Sequence, residues 1–188
     1  MARPRSDTKR TEIMEAAIRA IAEQGLGAST AVIAKSAGVS NGALFTYFET
    51  KADLLNQLYI ELKLRKAETT VANAPMDAEP REQLRYVWYR MLRWATERPQ
   101  ERAALAQLSV SNDVTDTSRA VARKPYAEVE ALLDRCRANG TIRDASPAFV
   151  ASLVMAMVDA AIDGLAAEPD AAERHAAIGF DALWRAIN

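Results

Sequence analysis

The chain has 188 residues, with 24 Lys and Arg against 25 Asp and Glu, a net charge of −1 and a single cysteine. That length allows one substantial core, or a small reading unit fused to a larger bundle. The charge balance gives no whole-chain signature of nucleic-acid binding, and a lone Cys136 excludes an intramolecular disulfide and a cysteine-rich zinc site.

The distribution of charge says more than its sum. Residues 1–51 carry seven basic and five acidic side chains, net +2, which leaves seventeen and twenty, net −3, for the rest. The polar start, MARPRSDTKR, lacks the apolar segment of a signal peptide, so a cytoplasmic location is expected. The apolar run from Phe149 to Ala167 carries Asp159 and Asp163 and reads as buried protein, not as a membrane span.

In chain order, Met1 to Lys9 reads as a short basic arm in which Arg3, Arg5 and Lys9, with Arg10 after them, either touch phosphates or stay solvated. Ser6 or Asp7 can cap a helix whose Ile13, Ala16, Ala17, Ala20 and Ile21 recur at i, i+3, i+4, i+7 and i+8, and Gly25 and Gly27 end it. Thr30 can cap the next helix. There the small Ala34 lets two helices cross closely, and Gly38 can take a left-handed turn at little steric cost. Ile33, Ala37, Val39 and Leu44 point inward in this reading. Ser40 caps a second short helix and leaves Ser40, Asn41, Ala43 and Phe45 near its N-terminus, where a helix-turn-helix meets base edges and phosphates.

Thr50 and Asp53 form a shortened capping box that opens a helix running to about Thr70, with Leu55, Leu58, Tyr59 and Leu62 inward. From Arg81 to Thr96 the set Leu84, Val87, Trp88, Met91, Leu92 and Ala95 makes a helical stripe, and Arg98-Pro99 stops it before another helix through Leu108. The segment SVSNDVTDTS reads as loop. Tyr126, Val129, Leu132, Leu133 and Cys136 mark a further helix, with Pro125 either starting it or kinking a longer one. Ser146-Pro147 is a cap followed by a first-turn proline. The helix from Ala148 to Leu165 is apolar nearly all round, so one of its faces needs a partner. Asp170 with Glu173 resembles a capping box for the last helix, whose stripe is Ala176, Gly179, Phe180, Leu183 and Ile187. No strand pattern, repeat or low-complexity tract is present, so the fold class is all-α.

Ile13 through Leu55, with Ala16-Ala17, Gly25, Thr30, Ile33-Ala34, the AGVS of Ala37 to Ser40 and a G-x-L-F-x-Y-F run, resembles the TetR family of transcriptional regulators. The resemblance implies a three-helix, helix-turn-helix DNA-binding domain at 1–51 and a helical ligand-binding and dimerisation domain at 52–188, with dimerisation through the last two helices. Carried over by position, it implies that Thr30 and Lys51 contact phosphates, that Ser40, Asn41, Gly42 and Ala43 face bases or phosphates, and that Tyr47 holds the DNA backbone. Phe45 stands where the family often has tyrosine and Ala43 where threonine is frequent, so Phe45 is left with apolar contact, such as a thymine methyl.

Apolar and aromatic side chains between helices suit a small-molecule site, and Trp88, Tyr89, Trp94, Tyr126, Met155 and Asp159 are the candidates, with simple core packing the alternative for Trp88. Asp159 and Asp163, one turn apart, either recognise a cationic ligand or are paired by arginine or water at a dimer edge. His175 is the only histidine, and no metal-ligand spacing, nucleophile motif or glycine-rich phosphate cradle accompanies it. The expectation is therefore a non-enzymatic homodimeric repressor that binds a palindromic double-stranded DNA operator and a small-molecule effector, with no metal, no cofactor and no membrane. Phe180 and Leu183 are expected in the dimer interface. The alternative is a soluble helical small-molecule-binding or scaffolding protein without a DNA role.

Overall fold

The computed structural model describes residues 3–75 and 77–188, with side chains from residue 7 onward. Among the described residues the elements are helical throughout: α1 (Arg3–Gln24), α2 (Thr30–Ser36), α3 (Asn41–Leu44), α4 (Lys51–Thr70), α5 (Pro80–Glu97), α6 (Pro99–Ser109), α7 (Asp116–Arg123), α8 (Ala127–Arg137), α9 (Pro147–Ala167) and α10 (Ala172–Ile187). Short 3-10 turns follow α1 and precede α8 and α10. The chain forms two compact units, one of Met1–Arg65 with Arg98–Arg123, the other of Lys66–Glu97 with Lys124–Asn188.

In the first unit α1 packs on α2 and α6, and its apolar face is Ile13, Met14, Ala16, Ala17 and Ile21, all shut off from solvent. The helix already includes Ser6 and Asp7, so neither is its cap, and the backbone expected as a loose arm is helical from Arg3 onward. Met1 and Ala2, and the side chains of Arg3 and Arg5, lie outside what is described. Lys9 pairs with Glu12, and Arg10 is drawn inward, donating to Gln57 Oε1 at 2.8 Å and lying 5.6 Å from the Phe48 ring centre. Arg10 is thus a tie between α1 and α4.

Two further polar ties hold this unit. Arg65 bonds Glu15 at 2.6 Å and also Glu61, and Glu101, buried on α6, joins Arg65 and Arg98. Burial disfavours the Arg65 charge, but the hydrogen bonds and charges of Glu15 and Glu61 outweigh that and raise its pKa. Asn56 on α4 donates to Asp113 O at 2.7 Å, while its Oδ1 accepts from Thr115 N at 2.9 Å, which fastens the chain between α6 and α7. The polar run around Asp116 is therefore part loop and part α7, whose first turn is capped by the Thr115 hydroxyl accepting from Ser118 N at 3.2 Å.

In the second unit α5 packs on α8, α9 and α10, and α9 on α10. Trp88 is its centre: fully buried, its Nε1 donates to Ala176 O at 3.0 Å and its ring lies 6.4 Å from that of Phe180. Gly179 permits this, because a Cβ there would stand 2.7 Å from Trp88 Cζ2. Arg137 staples the α8–α9 connection by donating to Arg143 O and Ala145 O at 2.8 and 2.7 Å. Pro125 sits in the 3-10 turn between α7 and α8, separating two helices instead of kinking one. Burial raises the Cys136 thiol pKa and nearby Arg135 partly offsets it, which disfavours the reactive thiolate.

The ends of the last helices differ from the sequence reading. Ser146 caps α9 as expected, its Oγ accepting from Phe149 N at 3.3 Å. α10, however, begins after a Pro169–Ala171 turn with Ala171 at its cap and no side-chain bond there. α9 is long and apolar enough to cross a membrane, yet it buries only the ladder Val150, Val154, Val158 and Ile162. Phe180 and Leu183, expected at an interface between copies, are buried inside the single chain, because α10 turns that stripe onto α5 and α9. The large apolar side chain that α10 leaves exposed is Ile178, at 59%.

Candidate nucleic-acid interface

The turn between α2 and α3 is set by Gly38, whose φ of +67° is strained for any residue with a side chain. Its N–H returns to Lys35 O at 3.1 Å and that of Val39 to Ala34 O at 3.0 Å, closing α2. Ser29, not Thr30, caps α2 by accepting from Val32 N at 3.3 Å, which leaves Thr30 half-exposed in the first turn. Ser40 caps α3 through a 3.0 Å bond from Ala43 N. Both caps satisfy N–H groups that the helix starts would otherwise leave unpaired.

Burial then separates anchored from exposed positions. Ile33, Ala34, Leu44 and Phe48 are buried and fix the two helices to α1 and its neighbours, whereas Ser40, Asn41, Gly42 and Phe45 are exposed and Ala43 and Tyr47 half-exposed. α3 is only four residues long, and Thr46 prolongs its order by donating from Oγ1 to Ala43 O at 2.7 Å. Lys51 opens α4 and donates from Nζ to Leu26 O at 2.7 Å, so its ammonium is held beside the turn that follows α1. Thr50 caps α4 by accepting from Asp53 N at 3.0 Å, and Asp53 Oδ2 in turn accepts from Glu49 N at 3.1 Å, one residue before the usual partner. A short, capped helix with exposed Asn41 and neutral backbone at Gly42 can approach a groove closely and read base edges.

The six candidate ligand residues do not share one environment. Trp88 is committed to the core, Tyr89 is exposed on α5, and Trp94 is 3% exposed although it lies off the main apolar stripe. Tyr126 is half-buried in the turn before α8, while Met155 and Asp159 lie on the exposed side of α9. His175 Nε2 is 3.8 Å from Glu168 and its Nδ1 is buried without a partner. Among the described residues no group of three or more His, Cys, Asp or Glu is placed to hold a metal. Ser29 and Asn56 escaped the sequence reading, and only Ser29, a serine at a helix start, carried a local signal; Arg10, read there as touching phosphates or solvated, is instead tied to α4.

Residues 13–58 match the model of bacterial regulatory proteins of the tetR family. Over 69 residues the chain is 45% identical to an uncharacterized HTH-type transcriptional regulator of Mycobacterium tuberculosis, a match that spans 35% of each chain. Over 164 residues it is 27% identical to an Escherichia coli K12 protein assigned as acrEF/envCD operon repressor, covering 83% of this chain and 73% of that one. A crystal structure assigned to the tetR family, from Shewanella sp. PV-4, has a TM-score of 0.84 at 25% identity, covering 95% of this chain and 97% of that one.

Proposed function

Because the chain belongs to the TetR family of transcriptional regulators, we propose that it is a ligand-responsive repressor that acts as a homodimer on a palindromic operator. The observation that carries the reading is the pairing of a buried anchor, Leu44 and Phe48, with an exposed Ser40-Asn41-Gly42 edge at a capped helix start. Asn41 reads a base edge, Ser40, Gly42, Ala43 and Phe45 line the groove, and Thr30, Tyr47 and Lys51 hold phosphates. Residues 1–51 serve DNA binding and 52–188 ligand binding and dimerisation, in the cytoplasm and away from any membrane. Repression, rather than activation, is supported by the name of the Escherichia coli relative.

Dimerisation is supported by the side of α9 and α10 that the single chain leaves open: Phe149, Met155 and Ile178 are 58, 37 and 59% exposed, with Ala156 and Ala160 beside them on α9. A two-fold pairing of these helices buries that apolar surface and fixes two reading heads on one frame. Heads spaced about 34 Å apart fit successive major grooves. An effector that binds a wrongly spaced form better lowers operator affinity by its difference in binding free energy between the two forms. A gel shift of the purified chain on the DNA upstream of its own gene tests the reading. A discrete complex that Asn41→Ala alters in base preference is expected, by about 1 to 3 kcal/mol at one position. Absence of any sequence-selective complex leaves a helical small-molecule-binding protein without a DNA role.

A further inference from the structure

Two buried indoles on α5 are treated differently by the fold. Trp88 Nε1 donates to Ala176 O, whereas Trp94 Nε1, equally shut off from solvent, has no hydrogen-bond partner. An indole N–H can only donate, and a buried donor without an acceptor costs free energy that something other than this chain's own groups must offset. Next to it stands a positive charge. Lys66 on α4 is 7% exposed, and its Nζ lies 5.0 Å from the centre of the Trp94 ring.

These two groups select a ligand chemistry. Neither Trp94 Nε1 nor an ammonium accepts a hydrogen bond, so the pair favours a ligand atom that accepts, an anionic one most, and repels a cation. The hydroxyl of Thr70, also fully buried, donates to Lys66 O at 2.8 Å and so is turned toward its own helix. Ala67 on α4 and Ala95 on α5 flank the pair in sequence, and both are buried. Lys66 keeps interactions of its own within the protein, so an incoming anion adds to its partners.

Resting on the ligand-responsive reading above, we infer that the effector is an organic carboxylate with an apolar body, its carboxylate accepting from Trp94 Nε1 and held by the Lys66 charge. The test uses the full chain and three probes, octanoate, decanoate and 1-naphthoate, each beside its uncharged amide. Binding is followed by tryptophan fluorescence and thermal shift. At least one carboxylate should bind saturably and more tightly than its amide. Trp94→Phe, which keeps a ring but removes the N–H, should weaken that carboxylate about tenfold, the size of a lost charge-assisted hydrogen bond. Lys66→Gln should erase the preference for carboxylate over amide. No binding by any of the three carboxylates, or equal binding to Trp94→Phe, overturns the inference and leaves an internal water as the indole's acceptor. Operator binding is measured on the same samples. A chain that binds carboxylate but no DNA upholds this inference and overturns the repressor reading, and one that binds DNA but no carboxylate does the reverse.

Discussion

Replacing Ile178 with Asp separates the interface from the core. Ile178 is 59% exposed in the single chain, and full burial of an isoleucine side chain contributes about 1.5 to 3 kcal/mol. Covering the exposed part in a dimer therefore contributes roughly 1 to 2 kcal/mol per copy, or about 2 to 4 kcal/mol across a two-fold interface. The aspartate adds an unpaired charge on each side, which costs several kcal/mol more unless it escapes to water. At about 1.4 kcal/mol per factor of ten, the dimer should weaken at least a hundredfold. Sedimentation velocity at micromolar concentration should show a dimer for the natural chain and a monomer for the variant, with far-ultraviolet circular dichroism and melting temperature little changed. Phe180→Asp, at a position 3% exposed, should instead unfold the second unit. A variant that associates as tightly as the natural chain, or a natural chain that sediments as a monomer, refutes the assignment of this face.

Gly42→Ala tests how closely α3 approaches DNA. A Cβ there meets nothing nearer than Ser40 Oγ at 4.0 Å, so stability should hold or rise by up to about 1 kcal/mol, while operator affinity should fall in a gel shift. Undiminished affinity would place the backbone at a distance from the DNA. Lys51→Ala should lower the slope of log affinity against log salt by roughly one phosphate's worth and weaken all DNA sequences alike. Loss of its bond to Leu26 O should also cost about 1 kcal/mol of stability in urea unfolding. An unchanged slope would show that the ammonium serves only that bond. Gly179→Ala, whose Cβ would stand 2.7 Å from Trp88, should destabilise the chain by about 1 to 3 kcal/mol. A melting temperature equal to that of the natural chain would contradict the close approach.

The sequence alone determined what rests on a few neighbouring residues. Gly38, the Ser40 and Ser146 caps, the Arg98-Pro99 stop and the all-helical pattern were legible because each depends on one dihedral angle or on a hydrogen bond reaching three or four positions along the chain. The exposed Ser40-Asn41-Gly42 edge at the capped start of α3 was legible for the same reason. Thr30 in place of Ser29 as a cap is the kind of one-residue slip that two adjacent hydroxyl residues invite, since only the backbone dihedrals at Ser29 choose between them. Tertiary structure decided which of several equally apolar or polar side chains is covered. Phe180 faces inward and Ile178 outward on one helix; Trp94 is buried off its stripe; Arg10, half-exposed, reaches across to Gln57 and Phe48. In the first unit, α6 returns to pack on α1, and Asn56 reaches 59 positions ahead to Thr115. Such contacts join residues far apart in sequence, and no local periodicity encodes which neighbour will arrive on a helix face.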